Sequence, residues 1–467
     1  MLSSFSALSV RGRGAARLAA ATLVSGLVVV SAMATAGSAA ADEIPQSQGG
    51  ATATIGGLKT SGLAVVHDDG EDRQVPAGLF EMSVDNGGTL QTYCVDIDHP
   101  TQMAAKYQET PWSGTSLSGN PDAGRIRWIL QNSYPQVNDL SALAERAGAS
   151  GLTEEDAAAG TQVAIWRYSD GVDVDAVNPK AEKLADYLHK SARNVTEPEA
   201  SLTLGPSAVS GRAGELLGPV TVHTNADSVR VTPPADATSG VKVVDKDGRD
   251  ITSAVDGSRL FFDVPEDAAD GSAALTVQAS TTVPVGRAFA SENRSQTQIL
   301  AGSSESTVSA TATANWAEEG AIPALSAEKN CAKGAVDITA ANAGDEPFTF
   351  ELMGAEHTIE AGTSQTVTIP LQEDQAYDFT IRGPNGYEKR FKGVLDCQTQ
   401  SSAGGETTQT LSEPSPATVG GTSTGGTDLA ETGSSSATPV IAEIGIALLV
   451  IGATALLLVH KKKPTRD

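Results

Sequence analysis

Between two apolar ends, the hydrophobic and polar positions of this chain fall into three successive patterns. From about residue 51 to 195 the pattern is mixed. Strand-like runs at 63–67, 79–84 and 92–97 are separated by Asp/Gly turns, and helical spacing follows. Residues 123–132 place Ile126, Trp128, Ile129 and Leu130 at helical intervals. Residues 153–166 open with Thr153 and Asp156 in the spacing of a capping box and continue through alanines. A further helix is predicted over 181–191. Trp112, Trp128 and Trp166 all fall in this segment, which implies a substantial core.

From 201 to 316 the period shortens. Apolar runs at 202–204, 220–223, 229–231, 241–244, 260–264 and 275–279 are punctuated by turns such as Asp247-Gly248 and Asp256-Gly257. Residues 306–316 alternate Val, Ala and Thr like a closing strand. This spacing predicts an antiparallel sandwich. Residues 322–397 repeat the style on a smaller scale, with runs at 335–339, 348–352, 366–371, 377–381 and 391–394. No repeat of defined period is present. The expected architecture is an α+β head at 51–198 followed by two antiparallel β-sandwich (Ig-like) domains at 200–318 and 322–397.

The ends change the picture from a soluble chain to an exported one. Residues 1–41 carry Arg11, Arg13 and Arg17, then a largely apolar run, then small residues ending at Ala39-Ala40-Ala41. That order reads as a secretory signal peptide, with an uncleaved membrane anchor as the alternative. At the other end Leu429, Ala430, Glu431, Thr432 and Gly433 precede an apolar stretch at 440–459 and the basic run His460-Lys461-Lys462-Lys463. The stretch is long enough to span a bilayer as a transmembrane helix, and the lysines hold the terminus inside. Motif, span and basic tail together (429–467) resemble the sorting signals of sortase substrates. The alanine form of the motif is similar to those read by class E sortases of actinobacteria. The resemblance implies cleavage between Thr432 and Gly433 and transfer of Thr432 to a peptidoglycan amine, hence a wall-anchored protein that passes through the membrane as a precursor. A plain C-terminal membrane anchor is the alternative.

Residues 398–428 are Ser, Thr, Gly, Gln, Glu and Pro with few sizeable apolar side chains, and cannot bury enough surface to fold. As a flexible disordered linker this segment averages roughly 30 Å end to end and stretches to about 100 Å, a spacer that carries folded domains outward. The formal net charge is −25, and removing a basic signal and a basic tail makes the mature chain more negative still. Nucleic acid is therefore excluded as a partner.

Three cysteines in an exported chain leave one over. Cys331 and Cys397 bracket the third segment and are expected to form a disulfide. Cys94 stands alone in Tyr93-Cys94-Val95. Downstream lies Thr161-Gln162-Val163-Ala164-Ile165-Trp166. A thiolate held against a glutamine amide displaces ammonia and leaves an acyl thioester that survives only where water is excluded. Taken alone, Cys94 is also compatible with a buried free thiol, an intermolecular disulfide, or a hydrolase nucleophile served by His99 or His189. Thr101-Gln102-Met103-Ala104 is a partial second copy of the glutamine motif and lacks its apolar-Trp end.

The pair of motifs, in this order, resembles the thioester domains of Gram-positive surface adhesins. The resemblance covers about a third of the chain. It implies a Cys94–Gln162 thioester that is taken once by an amine on a target surface, so the protein is expected to be an adhesin and not a turnover enzyme. A structural wall protein or reversible binding module without the bond is the alternative. His67, His99, His189, His223 and His357 are scattered without zinc-type spacing, so the sequence points to no metal and no cofactor. Lys242 or Lys246 with Asn293 are loose candidates for an isopeptide crosslink in the sandwich.

Overall fold

The computed structural model describes residues 49–68, 71–235, 240–291 and 295–398. The signal segment 1–41, the linker from residue 399 on, the sorting motif at 429–433, the stretch 440–459 and Asn293 lie outside the described residues. Among the described residues no helix is long and apolar enough to cross a membrane.

The chain is multidomain and rich in strands. The head opens with β1 (Thr52–Asp68), β2 (Glu71–Val84), β3 (Thr89–Cys94) and β4 (Lys106–Thr110). Then come α1 (Ala123–Asn132), α2 (Leu140–Ala147), α3 (Glu154–Ser169), β5 (Val174–Ala176) and α4 (Pro179–Ser191). Each helix has a local reason to start. Thr153 and Asp156 form a reciprocal capping box at α3, while Asn178 caps α4 with Pro179 in its first turn. Asp139 caps α2, which Gly148 ends in the left-handed conformation (φ 62°). α2 was not expected from the sequence, because two turns give too short a period to stand out.

The second segment contains β6 (Leu202–Gly205), β7 (Ala208–Arg212), β8 (Leu216–Thr224), β9 (Val229–Thr232), β10 (Lys242–Val244) and β11 (Ser253–Ala254). It continues with β12 (Arg259–Asp263), β13 (Gly271–Thr282), β14 (Ala288–Ser291), β15 (Gln298–Ser303) and β16 (Glu305–Ala317). A four-stranded sheet β10-β12-β8-β6 and a five-stranded sheet β11-β9-β13-β16-β7 form the sandwich. Two features depart from expectation. The sandwich is not wholly antiparallel, since β7 runs parallel to β16. And β14 and β15 leave it: they enter the head, whose seven-stranded sheet has the order β2-β3-β15-β14-β4-β1-β5. The head therefore does not end near residue 198.

Alternation explains why those two strands go there. On β15, Ile299 and Ala301 face the helices of the head, while Leu300 faces the sandwich core together with Phe289 of β14. On β2, Leu79 and Phe80 divide in the same way. The head sheet is thus apolar on both faces. One face packs on α1, α3 and α4, and the other shares a single core with Leu202, Val220, Phe262 and Trp316.

A buried ion pair ties this joint. Arg287 Nε lies 2.9 Å from Glu109 Oε1, and Glu109 also accepts from the Ala51 and Ser201 backbone N–H groups at 3.1 and 2.9 Å.

The third segment holds β17 (Pro323–Asn330), β18 (Ala335–Asn342), β19 (Phe348–Leu352), β20 (Ala355–Ile359), β21 (Ser364–Pro370), β22 (Ala376–Arg382) and β23 (Glu388–Val394). A three-stranded sheet β17-β18-β21 and the hairpins β19-β20 and β22-β23 surround a core of Leu325, Val336, Phe348, Ile381 and Phe391. Cys331 and Cys397 are disulfide-bonded, with Cα atoms 5.2 Å apart. Lys242 and Lys246 are exposed, and Lys246 pairs with Asp247.

Candidate functional site

α3 is the axis of the head. Residues from Ala157 to Trp166 are buried without a break, so the middle of this helix has no solvent face. Small side chains make that burial feasible. A Cβ at Gly160 would lie 2.5 Å from the Ala181 carbonyl of α4, a closeness only glycine permits. Gln162 and Trp166 are four residues apart and project from one face of the helix, toward the end of β3.

There they meet Cys94. The Gln162 side-chain amide spans the Cys94 backbone at both ends: Oε1 accepts from Cys94 N–H at 3.1 Å, and Nε2 donates to the Cys94 carbonyl at 2.8 Å. This grip leaves the Cys94 Sγ 3.5 Å from Gln162 Oε1. Trp166 Nε1–H donates to the same sulfur at 3.2 Å. Cys94 is 2% exposed and Gln162 is fully buried. Burial, with Asp170 adding a smaller push, raises the Cys94 thiol far above its ordinary range, while the Trp166 bond pulls the other way.

The flanking residues hold the frame. Tyr93 is fully buried and donates its hydroxyl to the Tyr134 carbonyl at 2.9 Å. Thr161 turns back to the Ala157 carbonyl at 2.7 Å. Asp170, just past α3, accepts from the Ile97 backbone N–H at 3.0 Å, and burial holds its carboxyl well above the usual range. On the open side of β3, β15 supplies the neighbouring strand, with Gln298 opposite Cys94 and the Thr297 carbonyl accepting from Val95 N–H at 3.2 Å.

The arrangement is suited to acyl transfer between sulfur and nitrogen. An N–H group points at the amide oxygen, where charge develops when the carbonyl is attacked. A second N–H points at the sulfur, where charge sits when it attacks or leaves. Water is kept out by packing on every side described.

The other candidates are elsewhere. Gln102 is exposed on a loop. His189 packs against Tyr168 in a tilted arrangement with ring centroids 4.4 Å apart, and His99 bonds to Asp96 at 2.8 Å. Among the described residues neither ring is hydrogen-bonded to Cys94.

Residues 91–194 match the thioester domain family. The matched span contains both Cys94 and Gln162. This chain carries a thioester domain. Residues 323–394 match the bacterial phospholipase C, C-terminal domain family. No curated protein matches the chain.

Solved structures similar to it include the Bacillus anthracis TIE protein, at 16% identity and a TM-score of 0.26, covering 75% of this chain and 64% of that one. The thioester domain of the Enterococcus faecium TIE86 protein is 16% identical with a TM-score of 0.28, covering 57% of this chain and 97% of that one. The thioester domain of the Staphylococcus aureus TIE protein is 14% identical with a TM-score of 0.23, covering 57% and 99%.

Sequence reasoning missed three parts of the thioester domain's surroundings. The donor role of Trp166, the buried Asp170 brace and the β14–β15 cover all depend on side-chain direction or on distant strand pairing. Only Trp166 left a signal, through its i, i+4 spacing from Gln162.

Proposed function

We propose that Cys94 and Gln162 form an internal thioester, and that an amine on a target surface takes the Gln162 acyl group in a single covalent attachment. The observation that carries this reading is the two-point grip on the Gln162 amide with the Cys94 sulfur beside it.

In formation, the Cys94 sulfur attacks the Gln162 amide carbon. The C–S bond forms, the C–N bond breaks, and the thiol proton leaves with the nitrogen as ammonia. In capture, the target amine attacks the same carbon. An amide forms, the C–S bond breaks, and the amine's proton goes to sulfur, restoring the thiol. Trp166 N–H supports the sulfur whenever it carries charge. The bond is spent after one event, so the protein acts as a covalent adhesin and not as an enzyme.

The sequence features at the two ends extend the proposal to location. The order of signal peptide, linker, Leu429–Gly433 motif, apolar stretch and basic tail fits secretion, cleavage by a sortase of class E, and attachment of Thr432 to peptidoglycan.

The test is intact mass. The purified secreted chain is expected to weigh one ammonia less than its sequence. Methylamine should modify Gln162 and release a reactive Cys94 thiol together. Cys94→Ala and Gln162→Ala should each restore the full mass, and Gln102→Ala should not. A freshly purified chain at full mass with an alkylatable Cys94 would put the reversible-binding or structural reading in its place.

A further inference from the structure

The loop that follows Cys94 carries a second cluster, which the thioester chemistry does not use. Asp96 Oδ1 lies 2.8 Å from His99 Nδ1. The other ring nitrogen, Nε2, lies 3.8 Å from Asp374 Oδ1, on the loop between β21 and β22 of the third domain. Asp396, just after β23, completes the group. Ligand-capable atoms of Asp96, His99 and Asp396 all lie within 4.8 Å of one another, as do those of Glu373, Asp374 and Asp396.

The cluster is buried and unsatisfied. The Asp96 side chain is fully buried, that of His99 is 7% exposed, and Asp396 is 8% exposed. Asp96 Oδ2, His99 Nε2, Asp374 Oδ1 and Asp396 Oδ1 have no hydrogen-bond partner. They are half of all such side-chain atoms among the described residues, gathered at one point. Each costs about 1–3 kcal/mol if left unpaired, so their convergence calls for a shared partner. Carboxylate oxygens are acceptors, and so is Nε2 when the imidazole carries its single proton on Nδ1 toward Asp96, so one cation would satisfy all four atoms. The Lys329 ammonium bears on Asp396 and offsets part of this charge.

We propose that His99 Nε2, Asp374 and Asp396 bind one divalent cation, with Asp96 holding the imidazole ring in place. A histidine that donates Nδ1–H to a carboxylate presents Nε2 as a free ligand, the usual second partner of a metal-bound histidine. One nitrogen with two or three carboxylate oxygens suits zinc or manganese and disfavours calcium, which takes oxygen alone. Ligand atoms on a tetrahedral zinc ion stand about 3.4 Å apart, so the 3.8 Å gap between His99 and Asp374 closes with a small adjustment.

The scaffold is braced on both sides. Asp396 precedes Cys397 of the disulfide, and Glu373 Oε1 accepts from the Cys397 and Gln398 backbone N–H groups at 2.6 and 2.9 Å. On the head side the supporting Asp96 comes two residues after Cys94 and the ligand His99 five residues after it. The ion therefore clamps the third domain against the loop that leaves the thioester strand. It does not depend on the thioester having formed.

The test is metal content of the full secreted chain. After EDTA treatment, equilibrium dialysis against ZnCl2 or MnCl2 and elemental analysis should return one ion per chain. Asp374→Asn, at a partly exposed loop position, and His99→Gln should each weaken binding at least tenfold. Asp378→Asn, on exposed β22 and paired with Arg390, should leave it unchanged. The melting temperature should rise with the ion in the wild type and not in Asp374→Asn. Failure of both metals to bind at one ion per chain overturns the proposal. So does binding that survives both Asp374→Asn and His99→Gln, which would place the ion elsewhere on an acidic surface. Neither outcome bears on the mass deficit at Cys94 and Gln162.

Discussion

Gln298 of β15 sits directly opposite Cys94 of β3, although most of the head and much of the sandwich lie between them in the chain. The pairing is reinforced from the side, where Thr92 Oγ1 donates to Gln298 Oε1 at 2.9 Å. β3 is thereby an interior strand, held by β2 on one side and β15 on the other. The Cys94 backbone is fixed by a strand that the sandwich segment lends to the head, and the same strand covers that flank. Head and sandwich share one core and one sheet, so they behave as a single folding unit.

The first prediction concerns fragments. A chain covering 51–198 lacks β14 and β15, which leaves β3 and β4 with bare edges and one face of the sheet without its cover. It is expected to aggregate or lack a cooperative melt, whereas 49–318 should fold and lose ammonia. Circular dichroism melts and intact mass of both fragments check this. A cooperative melt with a mass deficit in 51–198 would show that the borrowed strands are dispensable.

Trp166→Phe isolates the indole N–H while keeping most of the packing. Hydrogen bonds to charged groups contribute about 1.5–3 kcal/mol, and losing this one should slow thioester formation about ten- to a hundredfold. The ammonia loss is followed by mass spectrometry during refolding from denaturant. A rate within twofold of wild type would remove Trp166 from the chemistry and leave it as packing.

Arg287→Ala tests the joint between head and sandwich. Glu109 is 2% exposed and Arg287 4%, so removing the guanidinium leaves a buried carboxylate without its counter-charge. The expected loss is about 3–5 kcal/mol in urea-induced unfolding of the 49–318 unit. A loss under about 1 kcal/mol, the range of surface pairs, would mean that water reaches Glu109 once the arginine is gone.

Much of the local structure was legible in the sequence. The apolar spacing of Ile126, Ile129 and Leu130 marked α1, and Thr153 with Asp156 marked the start of α3, because periods and caps act over one to four residues. The motifs around Cys94 and Gln162 were visible for the same reason: each is a short string with its own chemistry. The disulfide partners could also be read, from two cysteines bracketing the third segment and an odd total count.

What tertiary structure alone decided was everything that depends on which distant residues meet. The strands at 288–291 and 298–303 carry no pattern that the sequence analysis picked out, and nothing local says which sheet they join. That choice depends on the face of the head sheet left uncovered by the helices, which Leu300 and Phe289 help to fill. The parallel pairing of β7 with β16 likewise has no local mark. Nor does the cluster of Asp96, His99, Asp374 and Asp396, whose members lie at opposite ends of the described chain and converge only because the third domain packs against the head. Sequence carries the preferences of neighbours. Contacts between remote segments are set by burial of shared surface, and that is a property of the whole fold.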